Sequence, residues 1–384
     1  MKLSRFGAKF SADSGIVNLM DDLGNALREN PNLVMMGGGA PARIAAALGV
    51  YQRHLRALCD DENALFQLVG RYQGPLGDVE TRELLAAELR RRYGWPLSAE
   101  NVALTNGGQS AFGLLANMLT GEDAAGLTRQ LVFPLMPEYL GYADTALHPQ
   151  AFRGIKPRLE LLANQEFKYQ IDFDALKLDE HCAGLCLSRP TNPSGNVVST
   201  AELARLDALA RAQGVPLIID AAYGAPFPNL VYTPQLPYWN DNVILLLSLS
   251  KVGLPGVRGG FLVASAERVA AFARVNTIFN LASANLGPTL AARLLHADEL
   301  QGLCDEVLQP WYHARLKVAL DCIAREFAGL DYRLHRPEGA FFLWLWLPSL
   351  PISSAELYSR LKQAGVLVIP GENFFFGLNA DWPH

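Results

Sequence analysis

Short apolar runs separated by longer amphipathic stretches dominate the middle of this chain. The runs are Val102-Ala103-Leu104, Leu131-Val132-Phe133, residues 184–187, Leu217-Ile218-Ile219 and residues 243–247. Apolar runs this short and continuous read as buried strands, and the stretches between them carry a helical period. From about residue 80 to 290 this alternation predicts a mostly parallel sheet covered by helices on both faces. Gly260-Phe261-Leu262-Val263-Ala264 follows the last of these runs too closely for a crossover, so it is expected to pair antiparallel.

Beyond about residue 305 the texture changes. Trp311, Leu316, Leu320 and Phe327 mark a long helix, and Tyr332-Arg333-Leu334 and the alternating residues 340–346 read as strands. A helix over residues 355–364 and a strand over 366–369 follow. Near the start, Ile16, Leu19, Met20, Leu23 and Leu27 recur at helical spacing, with Ser14 placed to cap the helix. Residues 33–36 then read as a strand that breaks into Gly37-Gly38-Gly39-Ala40-Pro41. The expected organisation is a large domain over residues 49–305 and a smaller α+β domain over 306–384, which the N-terminal segment 1–48 joins.

Composition narrows the class. The chain has 384 residues, 50% of them hydrophobic and 18% charged, with a net charge of -5. That is enough for two domains with a large core, and it lacks the basic footprint that nucleic acid or an anionic membrane would require. The five cysteines (Cys59, Cys182, Cys186, Cys304 and Cys322) show no C-x-x-C spacing and are read as reduced, mostly buried thiols. The opening residues lack the apolar run of a signal peptide, and no stretch reaches membrane-spanning length. The expected location is the cytoplasm.

The strand ends carry the chemistry. Ser248-Leu249-Ser250-Lys251 closes the fifth run, and Gly253, Pro255, Gly256 and Arg258 follow. A lysine delivered by a buried strand into such a turn can be desolvated into a neutral amine, and an arginine close by can clamp a phosphate. Asp220 ends another run, with Tyr223 three residues on, and Asn192 lies in a turn after a further one. Gly107-Gly108-Gln109-Ser110 joins a strand to a helix, a turn that offers free N–H groups to an anion. Each has an ordinary alternative: Asp220 as a helix cap, Asn192-Pro193 as a plain turn, Gly107-Gly108 as a tight connection. Their joint order suits one ligand, pyridoxal 5'-phosphate (PLP), which presents a phosphate, a protonated ring nitrogen, a phenolic oxygen and an aldehyde.

Over almost its whole length the sequence resembles the fold-type I PLP-dependent aminotransferases. That resemblance implies an α/β fold with a mostly parallel seven-stranded sheet containing one antiparallel strand, plus the smaller α+β domain. It implies that Lys251 joins the cofactor aldehyde and then shuttles the substrate proton. Asp220 would pair with the ring nitrogen, and Tyr223 and Asn192 with the phenolic oxygen. Gly108, Gln109, Ser248, Ser250 and Arg258 would hold the phosphate, Tyr139 would stack on the ring, and Tyr72 would reach the phosphate of the neighbouring subunit of a homodimer. Residues 14–24 and 37–41 are most similar to the members that exchange an amino group between L-valine and pyruvate. There Gly38, Gly39, Ile16 and Asn192 would meet the substrate, an aliphatic amino acid. Other aminotransferase specificities, a PLP β-lyase and a decarboxylase share the fold and stay open. A PLP-binding transcriptional regulator would need a DNA-binding helix pair and a basic patch, and a nicotinamide dehydrogenase a G-x-G-x-x-G turn after a strand; neither pattern is found. The family's arginine for the substrate carboxylate lies on a strand past residue 369. Arg360 is the last arginine here, and Asp381-Trp382-Pro383-His384 completes no recognisable element. The expectation is that the sequence given stops short of that strand, binding PLP yet holding amino acids poorly.

Overall fold

The architecture described here is that of a computed structural model, which describes residues 1–12 and 14–378. The closing segment 381–384 singled out above lies outside the described residues, as do the side chains of Leu23 and Leu27. In chain order the strands are β1 (Val34–Met35), β2 (Val102–Thr105), β3 (Gly121–Glu122), β4 (Thr128–Phe133), β5 (Phe152–Gly154), β6 (Arg158–Leu161) and β7 (Glu166–Gln170). They continue as β8 (Cys182–Ser188), β9 (Leu217–Asp220), β10 (Val243–Ser248), β11 (Gly260–Val263), β12 (Arg333–His335), β13 (Leu345–Trp346) and β14 (Val366–Leu367).

Eight strands form the central sheet, in the order β2-β11-β10-β9-β8-β4-β3, with β5 also on β4. β4, β8, β9 and β10 run parallel, and β11 is antiparallel to both β10 and β2, as the short connection predicts. One strand more than the expected seven is present. At Gly121, whose φ of 103° suits glycine, the chain turns back, and Gly121–Glu122 pair antiparallel with Arg129 and Thr128. Two residues at a half-exposed edge leave no apolar signature, so the pattern of hydrophobic positions passes over them.

The sheet is buried on both faces, and period-2 geometry sorts its side chains between them. Ile218, Ile244, Leu246 and Leu262 enter one apolar cluster, with Phe112 and Leu115 of the Gly108–Leu119 helix. Leu217, Ile219, Leu245, Leu247 and Phe261 enter the other. Each such side chain taken from water contributes roughly 1.5–3 kcal/mol, so the rigid part of the molecule is this sheet. Its carboxyl edge is where the chemistry-bearing turns emerge.

A four-stranded sheet, β13-β12-β7-β6, joins residues from both sides of position 305. The alternating segment 340–346 is strand only at Leu345–Trp346. Ala340 adopts a left-handed φ of 59°, which breaks the pleat, and Phe341 and Phe342 both pack on Tyr223 instead of facing opposite ways. Ser14 does cap the Gly15–Glu29 helix, its hydroxyl accepting from Val17 N at 3.3 Å. Ile16 and Leu19 lie half-buried against the main core, while Met20 is exposed. β1 then pairs in parallel with β14, Val34 opposite Val366, and Met36 N donates to the Leu367 carbonyl. The three-glycine turn is thereby fixed to the far end of the chain. All five cysteines are free thiols, but only three are buried; Cys59 is exposed and Cys322 half-buried. Among the described residues no helix is long and apolar enough to cross a membrane.

Candidate active site

Lys251 sits in a single helical turn, Ser250–Val252, directly after β10. Its Nζ donates to the Gly39 carbonyl at 2.6 Å and lies 5.2 Å from the centre of the Tyr223 ring and 5.9 Å from that of Phe341. Burial in this aromatic surround lowers the lysine pKa to about 8; the Arg258 charge acts in the same direction and Asp220 against it. The bond to Gly39 survives deprotonation, since a neutral amine keeps N–H groups to donate.

Asp220 ends β9, buried, beside Lys251's strand. One carboxylate oxygen accepts from Ala222 N at 2.9 Å and the other from the Tyr142 hydroxyl. Burial raises its pKa, while Tyr142, the Ala222 N–H and Lys251 pull the other way. Tyr223 is buried and its hydroxyl makes no hydrogen bond of normal geometry, although the Asn192 amide lies against it. A phenol so placed has a donor and an acceptor to spare for a ligand.

The anion end of the site is equally free. Gly107, at φ 93°, turns the chain from β2 into the Gly108–Leu119 helix. The first N–H groups of that helix have no intrahelical partner. Gly108 stands beside Ser248, whose Oγ accepts from Ser250 N at 3.2 Å. Arg258, in a left-handed conformation, reaches over Gly107 and, among the described residues, donates only to the carbonyls of Asn106 and Pro255, at 3.2 and 3.3 Å. No carboxylate neutralises it among the described residues. The Gln109 side chain turns away, donating to Gly141 O at 2.7 Å, so its backbone N–H is what faces the turn. Tyr139 is half-buried at the same edge, its ring edge-on to Tyr142 at 5.2 Å.

The structure thus gathers Lys251, Asp220, Tyr223, Asn192, Gly108, Gln109, Ser248, Ser250, Arg258 and Tyr139 around the carboxyl edge of one sheet. Gly39 closes the opposite side: a methyl there would stand 3.4 Å from Lys251 Nζ, 3.5 Å from the Tyr223 hydroxyl and 3.9 Å from Phe342. Gly38 is half-buried beside it, and Ile16 is half-buried against the main core. Tyr72 stands apart, 84% exposed. Three contributors escape a reading of sequence. Tyr142 lies three residues after Tyr139, a spacing that marks one helical turn but not a bond to Asp220. Phe341 and Phe342 read as a strand until Ala340 is seen to break it. The set fits a phosphorylated pyridine aldehyde: a guanidinium at a helix start with no carboxylate beside it among the described residues, a buried phenol with the Asn192 amide against it, a buried carboxylate and a partly desolvated amine.

A family model described as aminotransferase class I and II matches residues 24–381. The chain belongs to the class I and II aminotransferases. Valine–pyruvate aminotransferase of Escherichia coli (strain K12) is 44% identical over 384 residues, covering all of this aminotransferase and 92% of that enzyme. A solved putative amino-acid aminotransferase from Psychrobacter arcticum 273-4 superposes with a TM-score of 0.97 at 38% identity, covering 100% of this chain and 92% of that one. Valine-pyruvate aminotransferase from Salmonella typhimurium LT2 gives a TM-score of 0.88 at 41% identity, with 96% and 91% covered. A single mutant of Thermus thermophilus aspartate aminotransferase, at 22% identity and a TM-score of 0.76, shares the fold, with 97% of this chain and 92% of that one covered.

Proposed function

We propose that this aminotransferase, with PLP bound at the sheet edge, transfers the amino group between L-valine and pyruvate, giving 3-methyl-2-oxobutanoate and L-alanine. The observation that carries this reading is full-length similarity to a valine–pyruvate enzyme; beside it stands a site walled by Phe341, Phe342 and the methyl-free Gly39. Such a wall suits an aliphatic side chain. When bound, PLP supplies an aldehyde for amines and an electron-poor ring that takes up the electron pair left by proton removal.

The chain's own residues do the rest. Lys251, its pKa lowered towards neutrality by burial, would be the amine that holds the aldehyde and then carries the proton at the substrate α-carbon. Asp220 holds the proton on the ring nitrogen, itself steadied by Tyr142. Tyr223 and Asn192 bond the phenolic oxygen. Gly108 and Gln109 N–H groups, Ser248, Ser250 and Arg258 would hold the phosphate, and Tyr139 would supply an aromatic surface for the ring. Gly38, Gly39 and Ile16 line the substrate side.

The same reading includes a homodimer in which Tyr72 reaches the partner's phosphate. Phe66, Val69, Tyr72, Ile278, Phe279 and Leu281 are each 55–84% exposed. Asn285 ties their elements together by bonds to the Leu68 and Arg71 carbonyls, so a broad apolar surface supports a partner. Free thiols throughout support a reducing, cytoplasmic setting. We also propose that residues 1–48 and 306–384 act as a smaller unit against residues 49–305, held together by the β1–β14 pairing.

The test is direct. Protein supplied with PLP should show a visible band that borohydride bleaches, with the label on Lys251. Valine plus pyruvate should give alanine stoichiometrically. A strong preference for 2-oxoglutarate as acceptor would refute the substrate assignment, and breakdown of substrate without alanine would favour a lyase.

A further inference from the structure

Glu138 plays no part in the account above, yet it lies under the centre of the site. It is 1% exposed, and among the described residues the bonds it accepts come from neutral donors. Oε1 accepts from Ser188 N at 2.7 Å; Oε2 accepts from Ser188 Oγ at 2.6 Å and from Tyr139 N at 3.3 Å. Ser188 is the register partner of Asp220 across β8 and β9. Register partners on adjacent strands stand about 4.8 Å apart and point to the same face. The carboxyl locked onto Ser188 therefore shares one dry pocket with that of Asp220.

We propose that Glu138 is a positioning residue for the cofactor, a second buried carboxyl that stands behind Asp220 and governs how much negative charge faces the ring nitrogen. The proposal rests on the PLP reading of the site. Two like charges in one water-free pocket do not both ionise cheaply, and the one that faces a cation ionises first. Asp220 faces the ligand, so Glu138 is the one kept neutral. Burial raises its pKa to about 8 against the pull of the Ser188 and Tyr139 donors, and the Asp220 charge adds to the rise. The titratable groups facing it are Asp220 from β9, Cys186 from β8 and Tyr142 from its own loop. From the described part of the C-terminal segment the Phe374 carbonyl meets its backbone, accepting from Glu138 N at 3.0 Å. Below its transition the pocket presents one negative charge to a protonated ring; above it, two.

The experiment is a titration of the PLP dissociation constant and of the visible spectrum from pH 6 to 10, on the wild type, Glu138→Gln and Ser188→Ala. The ratio of the Glu138→Gln constant to that of the wild type cancels the titrations of Lys251 and of the phosphate, which both proteins share. It should rise on the order of tenfold across the Glu138 transition, as a second charge near the ring requires. Ser188→Ala removes a donor that favours the ionised carboxyl, so its transition should move to higher pH. A ratio that stays constant from pH 6 to 10 would overturn the proposal. If Glu138→Gln does not fold, Ser188→Ala decides alone, and an unmoved transition is the contrary result. A wild type that takes up no PLP would sink the functional reading as well, an outcome distinct from normal uptake with a flat ratio.

Discussion

Replacing Lys251 by methionine tests whether this amine is held out of water. In the unfolded chain the lysine titrates at its ordinary 10.5, in the folded protein at about 8. Its folded pKa is depressed, so the unfolded chain binds more protons between these values and stability rises with pH across that window. The penalty for the buried ammonium is therefore complete below about pH 8 and gone above 10.5. At about 1.36 kcal/mol per pH unit, the drop amounts to roughly 3 kcal/mol. Methionine keeps an unbranched apolar stem and no charge, and it forfeits the hydrogen bond to Gly39, worth about 1 kcal/mol. The cofactor-free Lys251→Met protein should thus be more stable than the wild type at pH 7 by roughly 2 kcal/mol. The difference should shrink through pH 9 and reverse by pH 11. Urea unfolding followed by tryptophan fluorescence at pH 7, 9 and 11 measures it. A difference that is the same at all three pH values, or a variant less stable at pH 7, would refute the reasoning that burial sets the state of this amine.

Three further outcomes are expected. Gly107→Ala forces a residue with Cβ into φ 93° and places a methyl 2.8 Å from Arg258 Nη2; about 1–3 kcal/mol of strain at the phosphate turn should weaken PLP binding, read by equilibrium dialysis. Tyr142→Phe keeps the ring stacked on Phe112 at 3.9 Å but removes the bond to Asp220. Losing a hydrogen bond to a buried carboxylate is worth about 1.5–3 kcal/mol, so the cofactor-free variant should lose stability of that order, read by urea unfolding, and kcat should fall about tenfold or more. Asp207, 4% exposed, accepts from Asn242, Asn240, Arg211 and Tyr238 at 2.7–3.2 Å. Asp207→Ala should cost about 2–4 kcal/mol by leaving those donors unpaired, seen as a lower Tm with the activity of the folded fraction unchanged.

What could be read from sequence follows the physics of each element. The runs that became β8, β9 and β10 are apolar because both faces are covered, and nothing else explains a run as short and continuous as Leu217–Ile219. The antiparallel sense of β11 followed from chain length alone. Lys251, Asp220, Asn192 and Arg258 were legible because they stand at ends of such runs, where a polar group needs a reason. Tyr142 and Glu138 were not, since their partners, Asp220 and Ser188, are far away in sequence and no spacing encodes the meeting. Phe341 and Phe342 misled because a strand and a turn with one left-handed alanine share the same pattern of large apolar residues. The edge strand Gly121–Glu122 is a matter of two backbone groups, to which side-chain patterning is blind.

The pairing of Val34 with Val366 sets a timetable for biosynthesis. On the ribosome, the segments carrying Gly107, Asp220, Lys251 and Arg258 emerge and can form their sheet while residue 366 is still untranslated. The glycine turn, although made first, has no berth until β14 has left the exit tunnel, and closing so wide a loop is the slow kind of contact. A nascent chain would therefore possess its phosphate cradle well before it possesses a roof over the lysine, and the amine would stay open to water until residues 366–367 have been made.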